Sequence, residues 1–181
     1  LPPVDNPETR QLALDLRATA SSDEDYVALV LDTFNREGFV YTLRPGISSG
    51  PHPIDEFMFQ SRRGFCEHYA SGFVFLMRAA GGPARVVAGY QGGEINPVNK
   101  TVIVHQFDAH AWAEVWIEKK GWVQVDPTAA VSPLRIEDGL EAAMEAEGSF
   151  LDAAPLSPLR YRSIPLLNLM RLRYDAMTYR W

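Results

Sequence analysis

Gly64-Phe65-Cys66-Glu67-His68-Tyr69-Ala70, running on to Gly81-Gly82-Pro83, is the stretch whose reading decides the fold. From Tyr69 to Ala80 the residues are apolar on nearly every side, with Arg78 the lone charge. A helix of that kind has no face to give to water, so it belongs in the middle of a domain. Gly81-Gly82 with Pro83 just beyond is a helix stop. The chain's one cysteine, Cys66, falls at the predicted start of this helix, after a glycine and two arginines. A buried thiol is normally inert. At a helix N-terminus beside cations, dipole and charge favour the thiolate, which is the nucleophile. Arg62 and Arg63 read equally well as stabilisers of that thiolate or as surface cations.

The totals bound what surrounds this helix. A chain of 181 residues suits a single domain, residues 1–181, with room for a proper core. A net charge of −6 argues against nucleic acid as the main partner. One cysteine excludes an internal disulfide and leaves the redox compartment open. No run is long and apolar enough to cross a bilayer, and the N-terminus lacks a signal-peptide pattern. Both ends lack a clear natural boundary, as an excised domain would.

Upstream of the central helix, Leu1 to Asn6 reads as an extended lead-in marked by Pro2, Pro3 and Pro7. Two N-terminal helices are expected within residues 7–38. Leu12, Leu16 and Ala20 share one face of the first. Ser21 or Ser22 caps the second, with Tyr26, Leu29, Val30 and Phe34 at helical spacing and Gly38 as its stop. Phe39-Val40-Tyr41 is a short strand candidate, and Ile54 to Gln60 a short helix or turn. Downstream, Arg85 to Tyr90 reads as a buried strand, Gly92 to Lys100 as a loop, and Thr101 to His105 as a strand. Ala109 to Ile117 and Trp122 to Asp126 form a hairpin around Lys119-Lys120-Gly121. The core of the domain is expected over about 54–134. Arg135 to Glu147 is an acidic helix candidate with a solvated face, and Gly148 to Pro158 a loop. The extension 159–181 is basic: Arg160, Arg162, Arg171, Arg173 and Arg180 face one acid, Asp175. It reads as a terminal segment packed on the domain or as a basic, amphipathic approach to a membrane surface.

A cysteine nucleophile needs a histidine to take its proton and a third group to orient that histidine. His52 lies in a Pro-rich loop and suits a surface role. His68 is two residues from Cys66, a helical spacing that turns it away from the thiol. His105 has no carboxylate pattern around it. His110 opens a strand in Asp108-Ala109-His110-Ala111-Trp112-Ala113-Glu114-Val115-Trp116, and Asp126 ends the next in Val125-Asp126-Pro127-Thr128. Those two share a sheet face only in an even register. A loop of Lys119-Lys120-Gly121 sets Asp126 opposite Glu114, too far from His110; a register centred on Glu118 sets it opposite His110. A bulge converts one to the other, and contact is the expectation. Trp112 shares the His110 face, where it either excludes water or serves as sheet core. Cys66-Glu67-His68 is not a zinc spacing, and no second pair completes a tetrahedral set.

These motifs resemble the transglutaminase-like superfamily, whose core is papain-like. The matching residues are Arg63 to Ala70, Gly81 to Tyr90, Asp108 to Trp116, Gly121-Trp122 and Val125 to Thr128. They fall in the family's order and spacing over the middle third of the chain. The text around Tyr90-Gln91-Gly92-Gly93-Glu94 and Asn96-Pro97 is similar to a bacterial inner-membrane branch of that family. The resemblance implies an α+β fold: a buried central helix carrying the cysteine, packed on an antiparallel sheet carrying the histidine and the aspartate. It implies Cys66 as nucleophile, His110 as base and Asp126 as orienting acid. It also implies a domain on the periplasmic side of the inner membrane, tethered through segments outside this chain. No metal and no cofactor are carried over, because no calcium-loop pattern is present.

The implied activity is acyl transfer. Cys66 attacks the carboxamide of a glutamine side chain, ammonia leaves, and an amine resolves the thioester. The partners are protein or peptide substrates that supply the glutamine donor and the amine acceptor. The Cys66 backbone N–H is the first oxyanion donor, and Gln60, six residues upstream, a candidate second. A cysteine peptidase or amidase would use the same three residues, with water as acceptor. A binding module that kept the fold and a metal-dependent hydrolase are the readings from other classes.

Overall fold

The computed structural model describes residues 5–133 and 165–178. In chain order come α1 (Pro7–Thr19), α2 (Asp23–Arg36), β1 (Val40–Tyr41) and α3 (Pro53–Asp55), a single turn that runs into a π-helical turn (Glu56–Ser61). Then follow β2 (Arg63–Gly64), α4 (Cys66–Ala79), β3 (Ala84–Tyr90), β4 (Glu94–Ile95) and β5 (Val102–Ile103). A 3₁₀ turn (Gln106–Asp108) leads into β6 (Ala109–Ile117) and β7 (Gly121–Val125). A second 3₁₀ turn (Pro127–Ala130) and α5 (Pro165–Thr178) complete the described elements. The expected acidic helix at 135–147 and the loop at 148–158 lie outside the described residues.

The fold is α+β, with α4 at its centre. Nine of the fourteen α4 residues are buried, among them Cys66, Tyr69, Ala70, Phe73 and Leu76. The helix ends in a Schellman motif. Gly81, at φ 86°, donates to the Arg78 carbonyl at 3.1 Å, and Gly82 donates to Met77 at 2.9 Å. One face of α4 lies on an antiparallel sheet of order β3-β6-β7. The alternating residues Ala111, Ala113, Val115 and Ile117 of β6 are buried in that contact. On other sides stand α1 and α2, which contributes Tyr26, Val30 and Phe34 to the core. The Tyr26 hydroxyl donates to the Leu76 carbonyl at 2.9 Å; burial pushes its pKa up to about 12 against the pull of Arg17. Phe34, Phe39, Phe57 and Tyr69 meet edge to face or tilted, with centroids 5.1 to 6.5 Å apart.

The N-terminal helix is held by a reciprocal cap. Asp55 is buried, and its carboxylate accepts the N–H groups of Glu8 (3.1 Å) and Thr9 (2.7 Å) and the Thr9 hydroxyl (2.6 Å). Asn6 returns the bond, its side-chain oxygen accepting Ile54 N–H at 2.9 Å and Asp55 N–H at 3.2 Å. Pro7 opens α1, where a proline at the first helical position loses no hydrogen bond. Ser22 caps α2 by accepting Asp25 N–H at 3.1 Å.

Three local expectations change. The strand at 84–90 is not buried: among the described residues it pairs with β6 alone, and Val86 and Tyr90 are 44% and 55% exposed. An edge strand keeps its hydrophobic run without a second neighbour to cover it. The loop at 92–100 contains β4, which pairs with β5 in a separate two-stranded ribbon; the β-branched run 101–105 contributes only two residues to it. The hairpin takes neither register named above. Ile117 pairs with Gly121, so the turn is Glu118-Lys119-Lys120, with Lys119 at φ 68° and Gly121 at φ 79°.

Replacing Asp55 by Ala removes the α1 cap and leaves the Thr9 hydroxyl buried without its acceptor. Loss of about 2–3 kcal/mol of stability is expected. Urea titration reads it as a lower midpoint at constant slope; a midpoint within error of wild type would reject the cap.

Candidate active site

Cys66 is the first residue of α4, 8% exposed, and packs with Ala70 and Ala111. Its helix position follows from Phe65, whose extended backbone (φ −115°, ψ −175°) breaks the chain direction before the first turn. The N–H groups of Cys66 and Glu67 precede any intrahelical acceptor and are available as donors, whereas His68 N–H is taken by the Phe65 carbonyl at 2.9 Å. His68, at the third helical position, accepts the Phe65 N–H at 3.4 Å and packs on the rings of Phe57 and Phe65. Burial lowers its pKa, outweighing the Glu67 charge and the Phe65 contact. As the helical spacing predicts, it serves the helix start rather than the thiol. Gly64 leaves room for it: a Cβ there would lie 2.6 Å from the His68 Cβ.

His110 sits at the start of β6, next to Ala111, and is buried. Its Nε2 lies 2.6 Å from Asp126 Oδ2. The observed ladder pairs Ala113 with Val125. Continued by one residue, that register sets Asp126 across from Trp112, on the face that also carries His110. The carboxylate reaches the imidazole along the diagonal, so no bulge is needed. Its other oxygen accepts Thr128 N–H at 3.0 Å, which makes Asp126 the cap of the 3₁₀ turn 127–130. The signal was in the sequence: Asp followed by Pro and Thr is a helix-start pattern.

Three influences set the charge of His110. Burial pulls its pKa down; the Asp126 hydrogen bond and the nearby Cys66 thiol push it up, and the upward pair prevails. Nδ1, the nitrogen that Asp126 leaves over, is buried and has no partner in ordinary hydrogen-bond geometry. The ring is thus gripped at Nε2, and Cys66 is the other group that acts on it. Because the folded protein holds the ring's proton above the free value of 6.5, this contribution to stability is fully present below about pH 6.5. It is lost as the pH rises through the folded value.

The Trp112 ring lies over that of His110, with centroids 6.3 Å apart and planes inclined by 27°. It is part of the site's wall rather than of the sheet core. Gly89, opposite His110 in β3, makes the space: a Cβ there would stand 2.6 Å from Trp112 Cη2. Among the other residues weighed, Arg62, His52 and His105 have partners of their own. Arg62 pairs with Glu37 at 2.9 Å and donates to its carbonyl at 2.6 Å, which ties it to the end of α2. Gln60 is exposed in the π-helical turn. His52 accepts Asn6 N–H at 3.2 Å. His105 does have a carboxylate: Asp108 Oδ2 lies 3.4 Å from its Nδ1 and accepts its N–H at 2.7 Å, and the ring stacks on Phe107. A 3₁₀ turn, invisible to strand periodicity, brings the two together.

Residues 10–127 match the family model described as Transglutaminase-like superfamily. The chain belongs to that superfamily. It is 52% identical over all 181 residues to a protein-glutamine gamma-glutamyltransferase of Pseudomonas aeruginosa, of which it spans 27%. The crystal structure of the periplasmic domain of TgpA from Pseudomonas aeruginosa matches with a TM-score of 0.75 at 53% identity, over 78% of this chain and 49% of that one. A proposed cysteine protease from Cytophaga hutchinsonii matches with a TM-score of 0.50 at 23% identity, over 71% and 39%, a likeness of fold. No helix among the described residues is long and apolar enough to cross a membrane, and none of them gather three His, Cys, Asp or Glu side chains into a metal-binding group.

Two outcomes test the site's geometry. In Asp126→Ala the NMR-titrated pKa of His110 should fall, since burial then acts with less opposition; an unchanged value would contradict the pairing. Gly89→Ala should displace Trp112 and cost about 1–3 kcal/mol, read as a lower unfolding midpoint with a shifted His110 ring resonance.

Proposed function

We propose that this domain carries out cysteine-dependent acyl transfer on glutamine-type carboxamides. One observation carries the reading: the His110 imidazole is fixed by Asp126 at 2.6 Å beside the thiol at the start of a buried helix. Cys66 gives its proton to His110 Nδ1 and its sulfur attacks the carboxamide carbon. The oxyanion develops near the first turn of α4, where the Cys66 N–H is a donor. Collapse breaks the C–N bond, His110 protonates the departing ammonia, and a thioester is left. An amine then attacks the thioester carbon, His110 takes its proton, and the thiol returns. Asp126 holds the imidazolium and sets its tautomer without itself becoming protonated.

The partners proposed are protein or peptide chains that supply the glutamine and the amine. The proposed location is the periplasmic side of the inner membrane, supported by the likeness to the TgpA periplasmic domain. Water in place of the amine gives hydrolysis from the same thioester.

The test is incorporation of a fluorescent primary amine into a glutamine-bearing protein. Cys66→Ala should lose all turnover while its thermal midpoint stays near that of wild type. Asp126→Ala should keep residual activity, reduced by roughly 10²–10⁴-fold, because it orients rather than reacts. Full incorporation by Cys66→Ala would remove the proposal. Release of ammonia without incorporation would move the reading to hydrolysis.

A further inference from the structure

Helix α5 is turned inside out. The side that meets the domain is polar. Arg171 Nη2 donates to both Glu94 oxygens, at 2.8 and 2.6 Å, and to Asn168 Oδ1 at 2.7 Å. Asp175 lies 3.5 Å from Arg171, and Asn96 Nδ2 donates to the Leu172 carbonyl at 2.8 Å. Leu172, 6% exposed, is the helix's one buried residue. At 100° per residue, the arc away from Leu172 is made of Leu166, Leu167, Met170, Tyr174 and Met177. These are 41% to 68% exposed. An ordinary surface helix does the reverse. The ion pair with Glu94 fixes the rotation of α5, so the apolar arc is held outward. A contiguous outward-facing apolar surface marks an interaction site.

We infer that this arc of α5 docks on an anionic lipid surface. Charge selects the occupant. Arg173 is exposed at the edge of the arc, and segment 159–181 carries five arginines against Asp175 in a chain whose net charge is −6. The segment that carries the arc is therefore net positive in a chain that is net negative, which favours its approach to anionic headgroups. Each basic residue near such a surface contributes about 1 kcal/mol, and apolar side chains enter the headgroup boundary. A stable dimer needs about 800 Å² from each partner, more than five side chains on one short helix present. The inference does not depend on acyl transfer.

Co-sedimentation with large unilamellar vesicles of phosphatidylcholine, with and without phosphatidylglycerol, tests it on the 181-residue chain. Wild type and Cys66→Ala should bind the anionic vesicles equally, and salt should release both. Met170→Ser with Met177→Ser should lower the partition coefficient at least tenfold with no change in thermal midpoint, because neither side chain is buried. Arg173→Glu should weaken binding to anionic vesicles. Leu14→Ser, which removes an exposed leucine on α1, should bind as wild type does. Three results would overturn the inference: no binding by wild type, equal binding by the double variant, or a dimer in sedimentation velocity that the double variant abolishes. The last would assign the arc to a second copy of the chain.

Discussion

A helix whose only exposed residues are the narrow polar stripe of Glu67, Ser71 and Arg78 has to be walled in elsewhere, and most of this architecture is the set of walls around α4. The sheet covers one side, α1 and α2 others, and the Phe34–Phe39–Phe57–Tyr69 cluster packs near its N-terminal turns. That enclosure also fixes the site. The first residue of an immobilised helix has a defined position, so a thiol there is placed by the core rather than by a loop. The sheet that walls the helix is the same one that carries His110. Burial of the helix and approach of the imidazole are thus one packing event.

The enclosure sets the electrostatics of the site as well. His110 is buried, which alone would favour the neutral ring. The Asp126 contact at 2.6 Å and the thiol outweigh that, and the ring keeps its proton more readily than in water. Asp126 is in turn held by the Thr128 N–H, so the acceptor cannot swing away. Trp112 lies over the imidazole and rests where β3 has no side chain at Gly89. Each of these partners acts on the orientation of one ring.

The central helix with Cys66 at its start, its stop, and the hairpin strands that carry His110 and Asp126 were legible in the sequence because they depend on local pattern. Apolarity on nearly every side, a Gly-Gly-Pro stop and period-two alternation need no knowledge of distant contacts. The hairpin register was not legible, because three-residue turns centred one position apart look alike in Glu118-Lys119-Lys120-Gly121. Left-handed backbone at both Lys119 and Gly121 decides it, and a lysine there carries no sequence signal. The exposure of β3 escaped notice because a hydrophobic run states propensity, whereas the number of neighbouring strands is a property of the whole sheet. The Asn6–Asp55 cap joins residues 49 apart, and His105 meets Asp108 through a 3₁₀ turn; neither leaves a periodic trace.

The turn at 118–120 has a consequence for how this chain can vary. Exposed hairpin tips are ordinarily where a protein accepts extra or missing residues, since little is packed against them. Here the tip works as a gear tooth. One residue more or fewer turns Asp126 to the opposite side of the sheet. Two more or fewer keep the side but carry the carboxylate a full repeat along the strand. A solvent-exposed stretch with no chemistry of its own is thereby held to a single length. Natural drift in this region should show up as changes of residue type at 118–120, with the count left at three.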